Sequence, residues 1–570
     1  MLEVLHYGET SDFLLNDRRK YSLSFYRFRE SKTIERIITM KKYQRKNSAY
    51  YIGALVFIFI STVFAVVLQF FKGDVLDYAI AGDAGTTLKY AVLLIGFIIG
   101  EVLLYYCYKR LSARFSVGCT RLLKHDIFES IIRQDYVTYK EKPQGEYVAK
   151  YTNEADMIKF RYFQMLPLFW EILLKIIFVS LALFILDWRI ALITILLLTT
   201  PLYVPKLIEK RLQKAQTEYL KTVEENLAKV NDWLSGFEII KNFSIERQIL
   251  LRFDESNTLS MDKLLCDTIL GATAQLITTL ISYLSYFIVL ACSIWLVLSR
   301  EFSAGDFFVA IGMIDQLSYP LISLAEIIRQ LIAIRPSCRA LERFVLQSKK
   351  DADGKSLSGI EKEIRYDSVS FGYTDDRLLL QDFNFRLEKG KKYLIKGPSG
   401  CGKTTAVNLI LRYFDVTSGK IMIDGVPIAE YDTTYSSITV VRQEAVLFHD
   451  TLRNNLTMYS DMSDDKLIKM LKSLSLDRFA NSQSLDTVIT ENGANLSGGE
   501  KKRICLARAL LRDTGVLILD EPLANLDEST AKRIEDLLLS ISGKLLLVVS
   551  HQFSEEKLYL FDDVIVLRSQ

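Results

Sequence analysis

Residues 397–405 read GPSGCGKTT, a glycine-rich loop that closes on Lys403 and Thr404. Such a loop can turn its backbone N–H groups toward phosphate oxygens, and a helix starting there adds the partial positive charge of its N-terminus. Lys403 is the residue type that neutralises β- and γ-phosphates, and the Thr404 hydroxyl can complete part of a Mg²⁺ shell. The flanks make the pattern specific. YLIK at 393–396 reads as a short strand and AVNLILRYF at 406–414 as an apolar helix. Strand, loop and helix together give the spacing GxxxxGK[ST] its meaning.

A second chemical element is GVLILDEP at 515–522, an apolar strand ending in Asp520 and Glu521. At the carboxyl end of a buried strand, Asp520 is suited to hold Mg²⁺ through water, and Glu521 to polarise an attacking water. His551, one of four histidines, follows another apolar strand, KLLLVVS, and is a candidate contact for a γ-phosphate. A third element, Ser497-Gly498-Gly499-Glu500, satisfies the S-x-x-E capping box that opens a helix. It also looks like a second place for a phosphate.

These residues need scaffolds, and the 570-residue chain is too long for one hydrophobic core. Apolar runs dominate the first 335 residues, whereas the last 220 or so have the composition of a soluble domain. About 20 apolar residues cross the ~30 Å hydrocarbon core. The segments 50–71, 90–108, 165–186, 190–204, 270–298 and 307–328 predict six spans, the fourth short and continuing past a break near Pro201 or Pro205. Lys and Arg crowd the N-terminal tail and the stretches 109–164 and 205–268, but not the connections near 72–89, 187–189 and 299–306. That bias puts the N-terminus, both long loops and the C-terminal domain on the cytoplasmic side. Helical periodicity in the long loops extends the spans into the cytoplasm, and the polar stretch KKDADGKSLSG at 349–359 reads as part of a linker. The expected order is a solvated extension over 1–47, a membrane domain over 48–335, a linker over 336–358 and a nucleotide domain over 359–570.

Net charge is only +3, which argues against nucleic acid as a partner. Seven cysteines without a CxxC pair argue against a disulfide framework or a zinc site.

GPSGCGKTT, Gln443 in VVRQEAVLF, LSGGE, VLILDEP, ANLD and VVSHQ occur in an order that resembles the ATP-binding cassette (ABC) transporters. More narrowly, the chain resembles exporter-type half-transporters over roughly residues 48–567. GEYVAKYTNEADMI, SGFEIIKNFSIERQILLRF and SAGDFFVAIGMIDQLSYPLISL resemble that family's two cytoplasmic loops and its fifth-to-sixth span junction. The resemblance implies an α-helical membrane domain of six helices with long cytoplasmic extensions, fused to an α/β P-loop ATPase cassette, in a bacterial cell membrane. It implies ATP and Mg²⁺ as cofactors. Tyr373 would stack on adenine, and Gly397, Pro398, Ser399, Gly400, Cys401, Gly402, Lys403, Thr404 and Thr405 would wrap the phosphates. Thr404, Gln443 and Asp520 would serve the Mg²⁺ ion. Glu521, His551 and Gln443 would form the catalytic set, with Gln443 passing the state of the site to the membrane helices. Ser497, Gly498 and Gly499 would meet ATP held by a second cassette, so the resemblance implies a homodimer or a heterodimer. Asp527 would lie at the cassette interface, Glu491 near the cytoplasmic loops, and coupling segments near Thr152–Lys159 and Ser235–Lys241.

Two departures from the family pattern bear on function. Glu500 stands where the family usually has Gln, bringing negative charge into a turn that should greet a phosphate, and ANLD lacks a hydroxyl at Ala524. Within the spans, Glu101 and Asp315 hint at a cationic or polar cargo, whereas Glu171 and Lys175, four residues apart, can neutralise each other. The reading is an ATP-driven exporter of a drug, lipid or peptide-like substrate. The alternative on the same fold is an importer of a metal chelate, and six spans set aside a soluble cassette ATPase.

Overall fold

The computed structural model describes residues 40–199, 204–347, 355, 357, 359–373, 377–398, 400–431, 434–524, 526–551 and 553–567. Contacts divide the chain into two compact units, one of residues 1–133 and 143–349 and the other of 134–142 and 350–570.

The first unit is helical. Among the described residues, five helices are long and apolar enough to cross a membrane: Ser48–Ile80, Ala84–Ile132, Gln144–Leu186, Glu246–Leu298 and Ala304–Leu346. The fourth expected span is the short apolar helix Trp188–Leu198, capped by the Asp187 carboxylate. Pro201 lies outside the described residues, and the next helix, Val204–Ser235, carries Pro205 at its start. Ala84–Ile132 has 49 residues, about 74 Å at 1.5 Å per residue. That is more than twice the bilayer core, so long helical extensions are present.

A solvated tail is not what residues 40–47 form. Lys41–Lys46 is helical, and Tyr43 is buried with its hydroxyl donating to Asp126 Oδ2 at 3.0 Å. An aromatic ring with a buried acceptor gains more from packing than from water. Residues 1–39 lie outside the described part. The first half of the expected linker is also ordered: Arg335–Gln347 is a helix whose Cys338, Leu341 and Val345 are buried with Phe115, Ile127 and Phe163.

The described residues of the second unit form nine strands: β1 Glu363–Phe371, β2 Leu380–Glu388, β3 Lys392–Lys396, β4 Ser418–Ile423, β5 Val426–Pro427, β6 Ile438–Val441, β7 Val516–Asp520, β8 Leu545–Val549 and β9 Asp563–Val566. They form an antiparallel sheet ordered β2-β1-β4-β5 and a five-stranded sheet ordered β6-β7-β8-β3-β9. Every pairing in the latter is parallel. All residues of β7 and β8 are buried, as continuous apolar runs at the centre of a covered parallel sheet require. Tyr366 of β1 is buried and donates to the Ala406 carbonyl at 2.7 Å, tying the antiparallel sheet to the helix Lys403–Ile410.

Candidate functional site

Because the strands are parallel, their carboxyl ends share one edge, where ligands of open α/β sheets bind. β3 runs into the loop at 397, β7 ends at Asp520, β8 is followed by His551, and β6 by Gln443. Residues distant in sequence thereby line one cavity of about 680 Å³: Tyr373, Gly397, Pro398, Gly400, Gly402, Lys403, Thr404, Thr405, Gln443, Asp520, Glu521 and His551. Ser399 lies outside the described residues.

Two glycines of the loop are dictated by geometry. Gly402, the residue before the helix, has φ +98°, which side-chain-bearing residues rarely adopt. A Cβ on Gly397 would lie 2.5 Å from the Leu567 carbonyl oxygen and 2.7 Å from Cys401 Sγ. Cys401 is buried beneath the loop, where it acts as a small filler. Lys403 Nζ donates to the carbonyls of Gly397 and Pro398 at 2.8 and 2.9 Å, folded over the loop it would share with phosphates. The Tyr373 hydroxyl lies 3.0 Å from Thr405 Oγ1, and its ring packs edge-on against Phe414 while remaining 56% exposed. An exposed, oriented ring of this kind can receive a flat base.

The acidic pair is asymmetric. Asp520 Oδ2 lies 3.4 Å from the Thr404 hydroxyl, and burial raises its pKa although Arg442 pulls the other way. Glu521 has φ +51°, a strained setting for a non-glycine residue, and its N–H donates to Val549 O at 2.8 Å. Its Oε1 is 2.7 Å from His551 Nδ1, while Oε2 is buried without a hydrogen-bond partner among the described residues. An orphaned carboxylate oxygen beside a polar cavity suits a group that must accept a proton. Thr404 and Asp520 side by side, with Gln443 on the same cavity, are oxygen donors of the kind Mg²⁺ takes, so the donor set fits that ion.

At residues 497–500 the expected capping box is complete: the Ser497 and Glu500 side chains each serve the other's backbone N–H. Glu500 Oε2 accepts from Ser497 N and Ser497 Oγ, both at 2.9 Å, and from Arg478 at 2.8 Å. The charge introduced by Glu500 is therefore matched by Arg478. Ser497 and Gly498 remain exposed. Asp527 caps the helix Glu528–Leu539, and hydrogen bonds from Ser529 and Thr530 hold its carboxyl down to about 2. Glu491 is exposed in a short 3-10 turn, and Asn525 lies outside the described residues.

Sequence reasoning missed Arg478, because a partner 22 residues away leaves no local pattern. It missed Lys502 as well, a buried lysine that donates to the Ala524 carbonyl at 3.3 Å and whose pKa burial lowers. The expected coupling segments fall in different settings. Ala155 and Ile158, within the expected Thr152–Lys159 stretch, are buried in the first unit on the long helix Gln144–Leu186. The segment that belongs to the second unit is Gln134–Lys142, where Tyr136 stacks on Tyr413 with 3.8 Å between ring centroids. Residues 134–142 carry no strong pattern in sequence, since a five-residue helix has little periodicity. The other expected segment, around Ser235–Lys241, contains the helix Phe237–Asn242, which exposes Phe237 and Ile239.

A helical membrane-spanning unit joined to a parallel-sheet nucleotide-binding unit defines the class. Family models agree with both parts: ABC transporter transmembrane region matches residues 51–321, and ABC transporter matches 380–524. The chain belongs to the ABC transporters, as a multi-pass membrane protein with an ATP-hydrolysing cassette, and its half-transporter fold implies a dimer. It is 29% identical to an uncharacterized ABC transporter ATP-binding protein, YwjA of Bacillus subtilis, over 76% of this chain and 77% of that one. It is 28% identical to the multidrug resistance-like ATP-binding protein MdlB of Buchnera aphidicola over 81% of each chain. An ATP-dependent lipid A-core flippase of Paraburkholderia xenovorans is 29% identical over 67% of this chain and 66% of its own. A solved bacterial Atm1-family ABC exporter with ATP bound shares the fold, with TM-score 0.74 at 22% identity over 92% of this chain and 94% of that one.

Proposed function

We propose that the chain is one half of an exporter in which ATP binding and hydrolysis between two cassettes drive alternating access of the membrane helices, with the cassettes in the cytoplasm. The observation that carries this reading is the contrast within one unit. Lys403, Thr404, Asp520, Glu521 and His551 converge on one cavity, whereas Ser497 and Gly498 face outward. In a dimer, that outward face closes over the other chain's cavity.

The 397–405 loop holds the phosphates, and Tyr373 receives the base. Thr404, Asp520 and Gln443 would hold Mg²⁺, which would supply positive charge against the nucleotide's phosphates. Glu521 Oε2 accepts the proton of the attacking water, and His551 keeps the other oxygen fixed so that the carboxylate does not rotate away. Closure of the cassettes shifts the membrane helices between two packings, and hydrolysis releases them. Both half-sites are present in this one chain, so two identical copies suffice for two complete sites. The names of the exporting relatives, a flippase and a multidrug resistance-like protein, support the outward direction.

Inside-out vesicles containing the purified protein test the reading. ATP-dependent uptake of a fluorescent amphiphile into them is expected, and it should vanish with Glu521→Gln. Uptake only into right-side-out vesicles would reverse the direction.

A further inference from the structure

In the membrane unit, Glu171 is 4% exposed on the helix Met165–Leu186. Its Oε1 accepts from Lys175 Nζ at 3.0 Å and from the Tyr105 hydroxyl at 3.2 Å. Its Oε2 accepts from Lys109 Nζ at 3.0 Å. The sequence suggested a self-neutralising Glu171–Lys175 pair; the structure adds a second cation from another helix. One carboxylate therefore answers two ammonium groups, and no second acidic group pairs with either lysine among the described residues. Glu101, the acidic residue nearest in its span, bonds instead to Ser61 at 3.4 Å.

A cluster left with one excess positive charge is expensive in a bilayer, and ionisable groups there are kept for a purpose. Its polarity of access is informative. The carboxylate side chain is 6% exposed, while those of Lys109 and Lys175 are 46% and 34% exposed. The anion is shut in and the cations are open. Each ammonium has three donors and gives one to Glu171, so both retain N–H groups for another anion. The surroundings are aromatic: Lys109 Nζ lies 4.9 Å from the ring centroids of both Tyr105 and Tyr108, and Lys175 lies 5.6 Å from Tyr105. Trp170, beside Glu171 in sequence, is 39% exposed. Lys109 follows the second expected span, and Lys175 lies ten residues into the third, about 15 Å along its axis. The cluster thus reaches from the Lys/Arg-rich side of the bilayer, at Lys109, to about mid-depth, at Lys175.

We propose that Lys109 and Lys175 form a headgroup site for an anionic amphiphile, a molecule with an apolar tail and a phosphate, sulfonate or carboxylate head, entering from the Lys/Arg-rich side of the membrane. Glu171 holds the two lysines in place and competes with the incoming head, which keeps affinity moderate and allows release. The inference rests on the export reading only for the fate of the bound molecule; the site itself is tested by binding.

The test uses the full chain in phosphatidylcholine nanodiscs and measures equilibrium binding of radiolabelled dodecyl phosphate, with empty nanodiscs as background. Saturable binding is expected, displaced by neither dodecyltrimethylammonium nor methyl phosphate at equal concentration. Lys109→Gln and Lys175→Gln should each raise the half-saturating concentration about tenfold, and Lys109→Arg should restore it to within about threefold. Glu171→Gln should lower it, because the competing anion is gone; a site that is merely structural would lose binding instead. Unchanged half-saturation in both lysine variants, or equal displacement by the cationic amphiphile, overturns the proposal. Equal displacement by methyl phosphate overturns the amphiphile and leaves a site for free anions. ATP hydrolysis, measured on the same samples, reports separately on the export reading: binding that persists without ATPase activity sinks that reading and spares the site.

Discussion

The loop at Gly397–Thr405 and the turn at Leu496–Glu500 both open a helix with glycines, and they differ in what surrounds them. A Cβ on Gly397 would strike the Leu567 carbonyl and the Cys401 sulfur, whereas one on Gly498 would meet nothing within 4 Å. The first glycine is required by its own chain. The second faces open space. The same contrast holds for the polar groups. Around the first loop, β3, β6, β7 and β8 deliver side chains to one cavity, and a buried oxygen of Glu521 has no partner among the described residues. At the second, Ser497 and Glu500 satisfy each other and Arg478 balances the charge. The proposed pairing of two copies rests on this contrast between an unmet demand and a self-satisfied turn.

The sharpest way to break that comparison is Glu521→Gln. ATP turnover should fall at least 100-fold with nucleotide binding retained, measured by phosphate release and by trapping of labelled ATP; normal steady-state hydrolysis would remove Glu521 as the base. Next come the two glycines. Gly397→Val should abolish ATP binding by the isolated protein and lower its Tm. Gly498→Val should leave Tm and ATP binding to single chains within error, yet cut hydrolysis by roughly tenfold or more. If both variants lost binding equally, the two glycine turns would belong to one site.

A smaller effect tests the charge balance. Arg478→Gln should weaken apparent ATP affinity severalfold, because an exposed ion pair adds little to stability but unmasks a carboxylate facing phosphate. The double variant Arg478→Gln with Glu500→Gln should recover to within about twofold of the parent. Glu500→Gln alone should change ATPase activity little; a rise of tenfold or more would make Glu500 a brake. Tyr413→Ala should leave basal hydrolysis within about twofold but reduce transport per ATP, since it removes the ring on which Tyr136 stacks. The smallest change is Ser497→Ala, which deletes a helix cap and should cost about 1 kcal/mol in denaturant unfolding while reducing hydrolysis severalfold.

The nucleotide half was largely legible in the sequence because its chemistry is local. Strand–loop–helix spacing marks Lys403 and Thr404, and apolar runs ending in Asp-Glu or Ser-His mark strand ends. The membrane spans were legible for a similar reason: a bilayer demands length and apolarity, which composition records directly. The fourth span sits at the edge of that signal, an 11-residue apolar helix before residues outside the described part. Residues 40–47 and the helix Arg335–Gln347 were read as polar extension and linker because their few apolar residues form a face only against other helices.

Side-chain identity and spacing thus determined which residues can bind phosphate, which can accept a proton and which segments belong in lipid. Tertiary structure decided what long-range pairing alone can decide. The order β6-β7-β8-β3-β9 carries Gln443, Asp520, His551 and Lys403 to one edge, although up to about 150 residues separate them along the chain. Arg478 was matched to Glu500, Tyr136 to Tyr413, and a second lysine to Glu171 in the same way. Charge and ring contacts act over a few ångströms of space and are blind to chain distance, so no local pattern announces them.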